Sequence, residues 1–374
     1  MSGRSLGSLA AFLLATSVFT ASVAPASPVT TPPPYSVKVS KVGGLGRVEV
    51  QGGIGAVLQR DEGTVAILNT KDPYAPKVVG RYDTAKDSLD GDLDFSQDGK
   101  WLFYARQTSN FDEEGLHVLD VSDPKNPTLA FYLPAGGAYR VQYIKQGDAE
   151  WVVLLDAVDG MVVSRFDSTT GALVPVHVDA LPALKVGGPA SAGFFYEPKD
   201  PMLGIPLLYV STGKTGVQIF DFSDPVQPDL LGAWDELGLA EIEVSATKRS
   251  RTIYAASEYW FAKTTPPEVV VLDATDLGKV KERRRLGLGL PPEEANFVQG
   301  MTLWGDLLYV AHSTKGLVAF DTDTGKVRST FRPRGKRNES AGVLGSPYAI
   351  DVEVAGPMLY VTDAATGALT ALWP

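Results

Sequence analysis

Four acidic residues stand where they could do chemistry together: Asp90, Asp92, Glu241 and Glu258. Several carboxylate oxygens converging on one point are what a hard cation such as Ca2+ or Mg2+ takes. Near them in the repeat stand Arg106 and Arg140, whose guanidinium groups would bind the same carboxylates as ordinary ion pairs. The chain has three histidines, and His312 is the one placed as an acid–base residue. Paired with Glu241 or Glu258, it would give a lyase- or hydrolase-type site. Tyr259, Trp260 and Phe261 are three consecutive aromatics, and Phe111 and Tyr348 add single rings. Rigid rings beside mixed charge suit recognition without turnover.

The familiar catalytic signatures are missing. Asp90-Gly91-Asp92-Leu93-Asp94 is no EF-hand loop, because its sixth position is Phe95 and its twelfth Trp101. Gly188 to Gly193 is one residue off a nucleophile elbow and lacks the strand-to-helix context. Gly213-Lys214-Thr215 ends like a phosphate loop, yet Leu208 holds the partner-glycine position and no helix follows. His117 falls in a third strand and His177 in an outer one.

The elements that must position these residues are written as a repeat. An apolar strand, a terminal Asp or Asn, a tight turn and a second strand recur six times. The anchors are Asn69, Asp120, Asp167, Asp221, Asp273 and Asp321, at steps of 51, 47, 54, 52 and 48 residues. A four-stranded unit of this length is the signature of a propeller blade. The D-x-S-D-P run at the turns reads as structural: its Asp and Ser side chains accept backbone N–H bonds, and Pro124 and Pro225 pre-set φ.

Counting units predicts seven four-stranded antiparallel blades in one all-β propeller. The last unit, from Tyr348, has only three strands. Ser36 to Val42 has the character of the missing fourth, so the N-terminal strand is expected to pair with the last blade and close the ring. The start of each innermost strand a and the end of each strand b then meet around one channel mouth. The first set is Arg47, Asp90, Asp92, Arg140, Ser191, Glu241, Gln299 and Tyr348. The second is Arg60, Arg106, Asp156, Ser211, Glu258, His312 and Asp363. Two strand b–c loops, Gln107 to Gly115 and Tyr259 to Glu268, are longer than the rest and overhang that face.

VLDVSDPKNPTLA from Val118 and IFDFSDPVQPDLLG from Ile219 resemble the LVIVD repeat. LLYVSTGKTGVQIFD from Leu207 and MLYVTDAATGALTAL from Met358 are similar to YVTN-type propeller repeats. The resemblance implies an exported or cell-surface binding scaffold and no particular reaction.

The termini and composition set the rest. Residues 1–26 carry one charge, Arg4, an apolar run LAAFLLATSVF and Ala24-Pro25-Ala26, the layout of a secretory signal. Residues 27–34 form a Pro-rich leader, and 35–374 the propeller domain. With zero cysteines, disulfides cannot stabilise an exported fold. The net charge of −10 argues against nucleic acid. The sequence is therefore read as a periplasmic or secreted, monomeric, non-enzymatic protein-binding scaffold with no transmembrane segment after signal cleavage. Its partner would be a protein, peptide or carbohydrate of the cell envelope, bound at the b–c loop face by Arg106, Phe111, Arg140, Tyr259, Trp260, Phe261 and Tyr348.

Overall fold

The computed structural model describes residues 35–40, 44–84, 90–108, 114–179, 192–213, 215–236, 238–257, 268–287, 298–332 and 348–373. Phe111, Ser191, Glu258, Tyr259, Trp260 and Phe261 lie outside the described residues, as do the expected signal and leader. Seven sheets of four antiparallel strands make up a β-propeller. Six blades span residues 45–83, 90–134, 138–179, 192–234, 239–287 and 298–331. The seventh joins 349–372 to the strand Tyr35–Lys38. Within each of the first six blades the strands pair in chain order, a to d, from the channel outwards.

Closure is a strand pairing between the two ends of the chain. Tyr35 stands opposite Ala371 and Val37 opposite Leu369. The hydroxyls of Ser36 and Thr370 meet at 2.9 Å, and Val39 N–H donates to Gly367 O at 3.0 Å. The fourth strand of blade 7 thus comes from the N-terminal side, as the three-stranded final unit predicts.

Strands b and c carry near-continuous runs of Val, Leu, Ile and aromatic residues because both of their faces are covered by neighbouring blades. Seven apolar clusters result among the described residues, each drawing on two adjacent blades. The cluster of Val39, Leu45, Val57, Tyr360 and Leu369 joins blade 7 to blade 1. Among the described residues, each of the seven seams between blades is filled by one of these clusters.

The recurring turns behave as their composition dictates. Ser122 N–H donates to Asp120 Oδ1 at 2.9 Å, Ser223 N–H to Asp221 Oδ1 at 2.8 Å, and Thr275 N–H to Asp273 Oδ1 at 3.0 Å. Asn69 does the same for Lys71 N–H at 3.0 Å. Within such turns the Thr170 and Thr275 hydroxyls hold the carboxyls of Asp167 and Asp273 below their ordinary range, and Thr324 N–H does so for Asp321. The repeated acids are turn builders.

Candidate functional site

Strand a is the inner edge of every blade, so half of its backbone groups face the channel without a sheet partner. Carboxylates of the preceding blade meet some of them. Asp92 of blade 2 accepts from Val141 N of blade 3 at 3.0 Å. Asp94 accepts from Tyr143 N and, at 2.8 Å, from Gln142 Nε2. Asp351 of blade 7 accepts from Val48 N of blade 1 at 3.0 Å. As the alternation in a strand requires, Asp92 and Asp94 share one face while Leu93 turns into the core.

The strand pairings place one residue per blade at each depth. The upper tier holds Arg47, Asp92, Arg140, Gly193, Glu241, Gly300 and Asp351. Its charges are largely spent on one another. Glu241 of blade 5 accepts from Arg47 of blade 1 and, at 2.7 Å, from Arg140 of blade 3. The second guanidinium nitrogen of Arg47 lies 3.3 Å from Asp351. Three blades that are not neighbours in the ring are thus tied across the mouth. Gly300 has no room for a side chain, since a Cβ there would lie 2.0 Å from Asp351 Oδ1.

Two residues further along each strand is a lower tier: Glu49, Asp94, Gln142, Phe195, Glu243, Thr302 and Glu353. It contains four carboxyl groups and no cation. Burial pushes Asp94 and Glu243 up to about 8. Burial and then the facing acids raise Glu49 and Glu353 well above the usual range. Asp94 and Glu243 therefore hold their protons at neutral pH, chiefly because burial penalises the charged form and secondly because nearby acids repel it. Among the described residues, no group of three or more His, Asp or Glu could hold a metal ion.

The strand b ends serve the loops rather than the channel. Asp156 is fully buried and accepts from Val158 N at 2.7 Å and Asp159 N at 2.8 Å. Asp363 takes Thr366 N at 2.7 Å and Tyr348 N at 3.0 Å. Thr212 takes Thr215 N at 3.1 Å. Each of these three residues holds its own b–c turn. His312 occupies the same register position in blade 6, is 0% exposed, and burial lowers it to about 4. Neither ring nitrogen meets a hydrogen-bond partner among the described residues. Arg106 holds the position in blade 2 and is buried beside Glu114 and His117.

Of the sequence candidates, then, Asp92, Arg140 and Glu241 are brought together at the mouth, and Arg106 and His312 sit apart under the b–c loops. Tyr348 is half-buried, its N–H on Asp363. Asp90 begins strand a of blade 2, opposite Gln107. Sequence reasoning passed over Glu49, Gln142, Glu243, Asp351 and Glu353. Polar residues at i and i+2 in strand a of blades 1, 2, 3, 5 and 7 were the available signal.

Residues 111–133 match the LVIVD repeat. No curated protein matches the chain. Among solved structures, the crystal structure of Saccharomyces cerevisiae Sqt1 is similar, with a TM-score of 0.54 and 10% identity over 92% of this chain and 98% of that one. At that identity the likeness concerns the fold alone. No helix among the described residues is long and apolar enough to cross a membrane.

Proposed function

We propose that the chain is an exported, non-enzymatic binding scaffold that presents its b–c loop face to a protein, peptide or carbohydrate of the cell envelope. The observation that carries this reading is the shared Glu241 between Arg47 and Arg140. It commits the charges of the channel mouth to holding the ring rigid, and a rigid ring with loops on its rim is a platform for recognition. The repeat at 111–133 and the propeller fold agree with a binding role. The aromatic run Tyr259-Trp260-Phe261 supplies side chains suited to the contact.

Export rests on residues 1–26. Fused ahead of a reporter, residues 1–34 are expected to direct secretion with a new N-terminus at Ser27; a reporter retained uncleaved in the cytoplasm would defeat this part. For the binding face, the purified protein is cross-linked to an envelope extract of its host, in parallel with a variant carrying Trp260→Ala and Phe261→Ala. A defined partner retained by the wild type and lost by the variant supports the scaffold. Equal retention rejects the loop as the contact. A divalent ion recovered in stoichiometric amount, and lost in Glu241→Gln, would turn the reading to metal-assisted catalysis.

A further inference from the structure

The face opposite the b–c loops is built from the a–b hairpins and the c–d turns. Between blades 1 and 2 these leave a cleft of about 350 Å3, within the range of specific ligand sites. Its apolar wall is Ile54, Leu68, Val79 and Val121, and Lys71, Lys100 and Lys125 stand at its rim. Asp98 is the one acid lining it and already pairs with Lys100 at 3.2 Å. Asp72 and Asp123 flank the rim, each with its Oδ1 engaged by a backbone N–H of its own turn. The lining side chains thus carry three lysines against the single Asp98, a positive rim bounded on the outside by the carboxylates of Asp72 and Asp123.

The excess arises where the repeat departs from itself. The anchor is Asp in five units and Asn69 in the first, at this cleft. Asn keeps the turn bond to Lys71 N–H and drops the charge. Two positions on, the turn residue is Ser122, Thr169, Ser223 or Thr275 in four blades, Asp323 in blade 6, and the one cation, Lys71, here. A purely structural turn needs neither change.

We propose that this cleft binds a short peptide segment bearing acidic side chains next to an apolar one. The half-buried Ile54 and Val79, backed by the buried Leu68 and Val121, take the apolar side chain, and the Lys71 and Lys125 ammonium groups, with Lys100 shared with Asp98, attract the carboxylates. The lining contains no arginine, the residue that grips phosphate bidentately. The Gly52–Gly53 hairpin, with φ of +57° and +95°, leaves main chain rather than side chains at one edge, so an extended peptide can approach closely. This site lies on the opposite face from the one proposed above and stands or falls separately.

The test selects a random heptapeptide library displayed on phage against the full chain and against Asn69→Asp/Lys71→Ser/Lys125→Gln, which rebuilds the ordinary turn. Circular dichroism melts confirm that both fold alike. Peptides enriched on the wild type are expected to carry Asp or Glu beside an apolar residue. Synthesised and titrated calorimetrically, they should bind the triple variant about tenfold more weakly, for three altered exposed charges. Asn69→Asp alone should weaken them by a smaller factor. The proposal is overturned by enrichment without acidic bias, by no enrichment, by equal affinity for the triple variant, or by displacement with inorganic phosphate at the peptide's own concentration.

Discussion

Asp94 and Glu243 are pushed up to about 8 chiefly by burial in the channel, and this gives the fold a pH dependence of definite sign. The unfolded chain releases these protons at about pH 4, whereas the folded chain holds them to about pH 8. Stability is therefore fully present below the ordinary carboxylate range and falls as pH rises through the window up to about 8, then levels. Each group contributes a slope of about 1.4 kcal/mol per pH unit within that window. Glu243→Gln is expected to flatten the dependence and to be more stable than the wild type at pH 8 and above. Urea unfolding across pH 5 to 9 measures it, and parallel curves for the two proteins would dismiss the buried-proton account. At this scale the sequence was legible where one residue acts on its own turn: Asp120 and Asp221 could be assigned as turn builders from D-x-S-D-P alone. The lower tier was not, because Glu49, Glu243 and Glu353, far apart in the chain, become a cluster only when their strands are bent into one ring.

The strand Tyr35–Lys38 is the element on which closure depends. Its exposed side chains contribute little burial, so its stabilising role is the ladder to Ala368–Leu372 and the end it puts to an open edge. Ser36 and Thr370 face each other with hydroxyls 2.9 Å apart, close enough for a disulfide between Ser36→Cys and Thr370→Cys. The chain has no other cysteine to compete. The oxidised variant should be more stable than its reduced form by about 3 kcal/mol or more, since the bridge closes nearly the whole chain. Melting in the presence and absence of reductant reads the difference. Formation of the bond without any gain would mean the terminal strand is already locked or contributes nothing. Strand order and this closing strand were legible from the repeat. What the repeat concealed were the bulges near the start of strand a in blades 1, 3, 5, 6 and 7. In blade 7 the bulge follows Ala349, and the mouth position falls to Asp351 rather than Tyr348. A bulge adds one residue to one strand and leaves no mark in hydrophobic alternation that short.

A ring of seven blades with seven seams has no terminal unit, and this sets how it fails. In an open repeat array a weakened interface lets the end units fray; in a closed ring every blade is held on both sides. Phe103 tests the difference. It is wholly buried between blades 2 and 3, stacked on Tyr143 at 5.7 Å and edge-on to Phe166 at 4.9 Å. Phe103→Ala should cost about 3 to 5 kcal/mol yet leave one cooperative transition, with tryptophan fluorescence and far-ultraviolet circular dichroism coinciding. Combined with removal of residues 35–40, the same substitution should separate the two probes, because the cut leaves a free seam beside blade 7 and the cavity a weak one at blade 2. Coincident transitions in that doubly altered chain would show that the blades are coupled by their packed faces alone and that ring closure is not what makes the propeller unfold as one body.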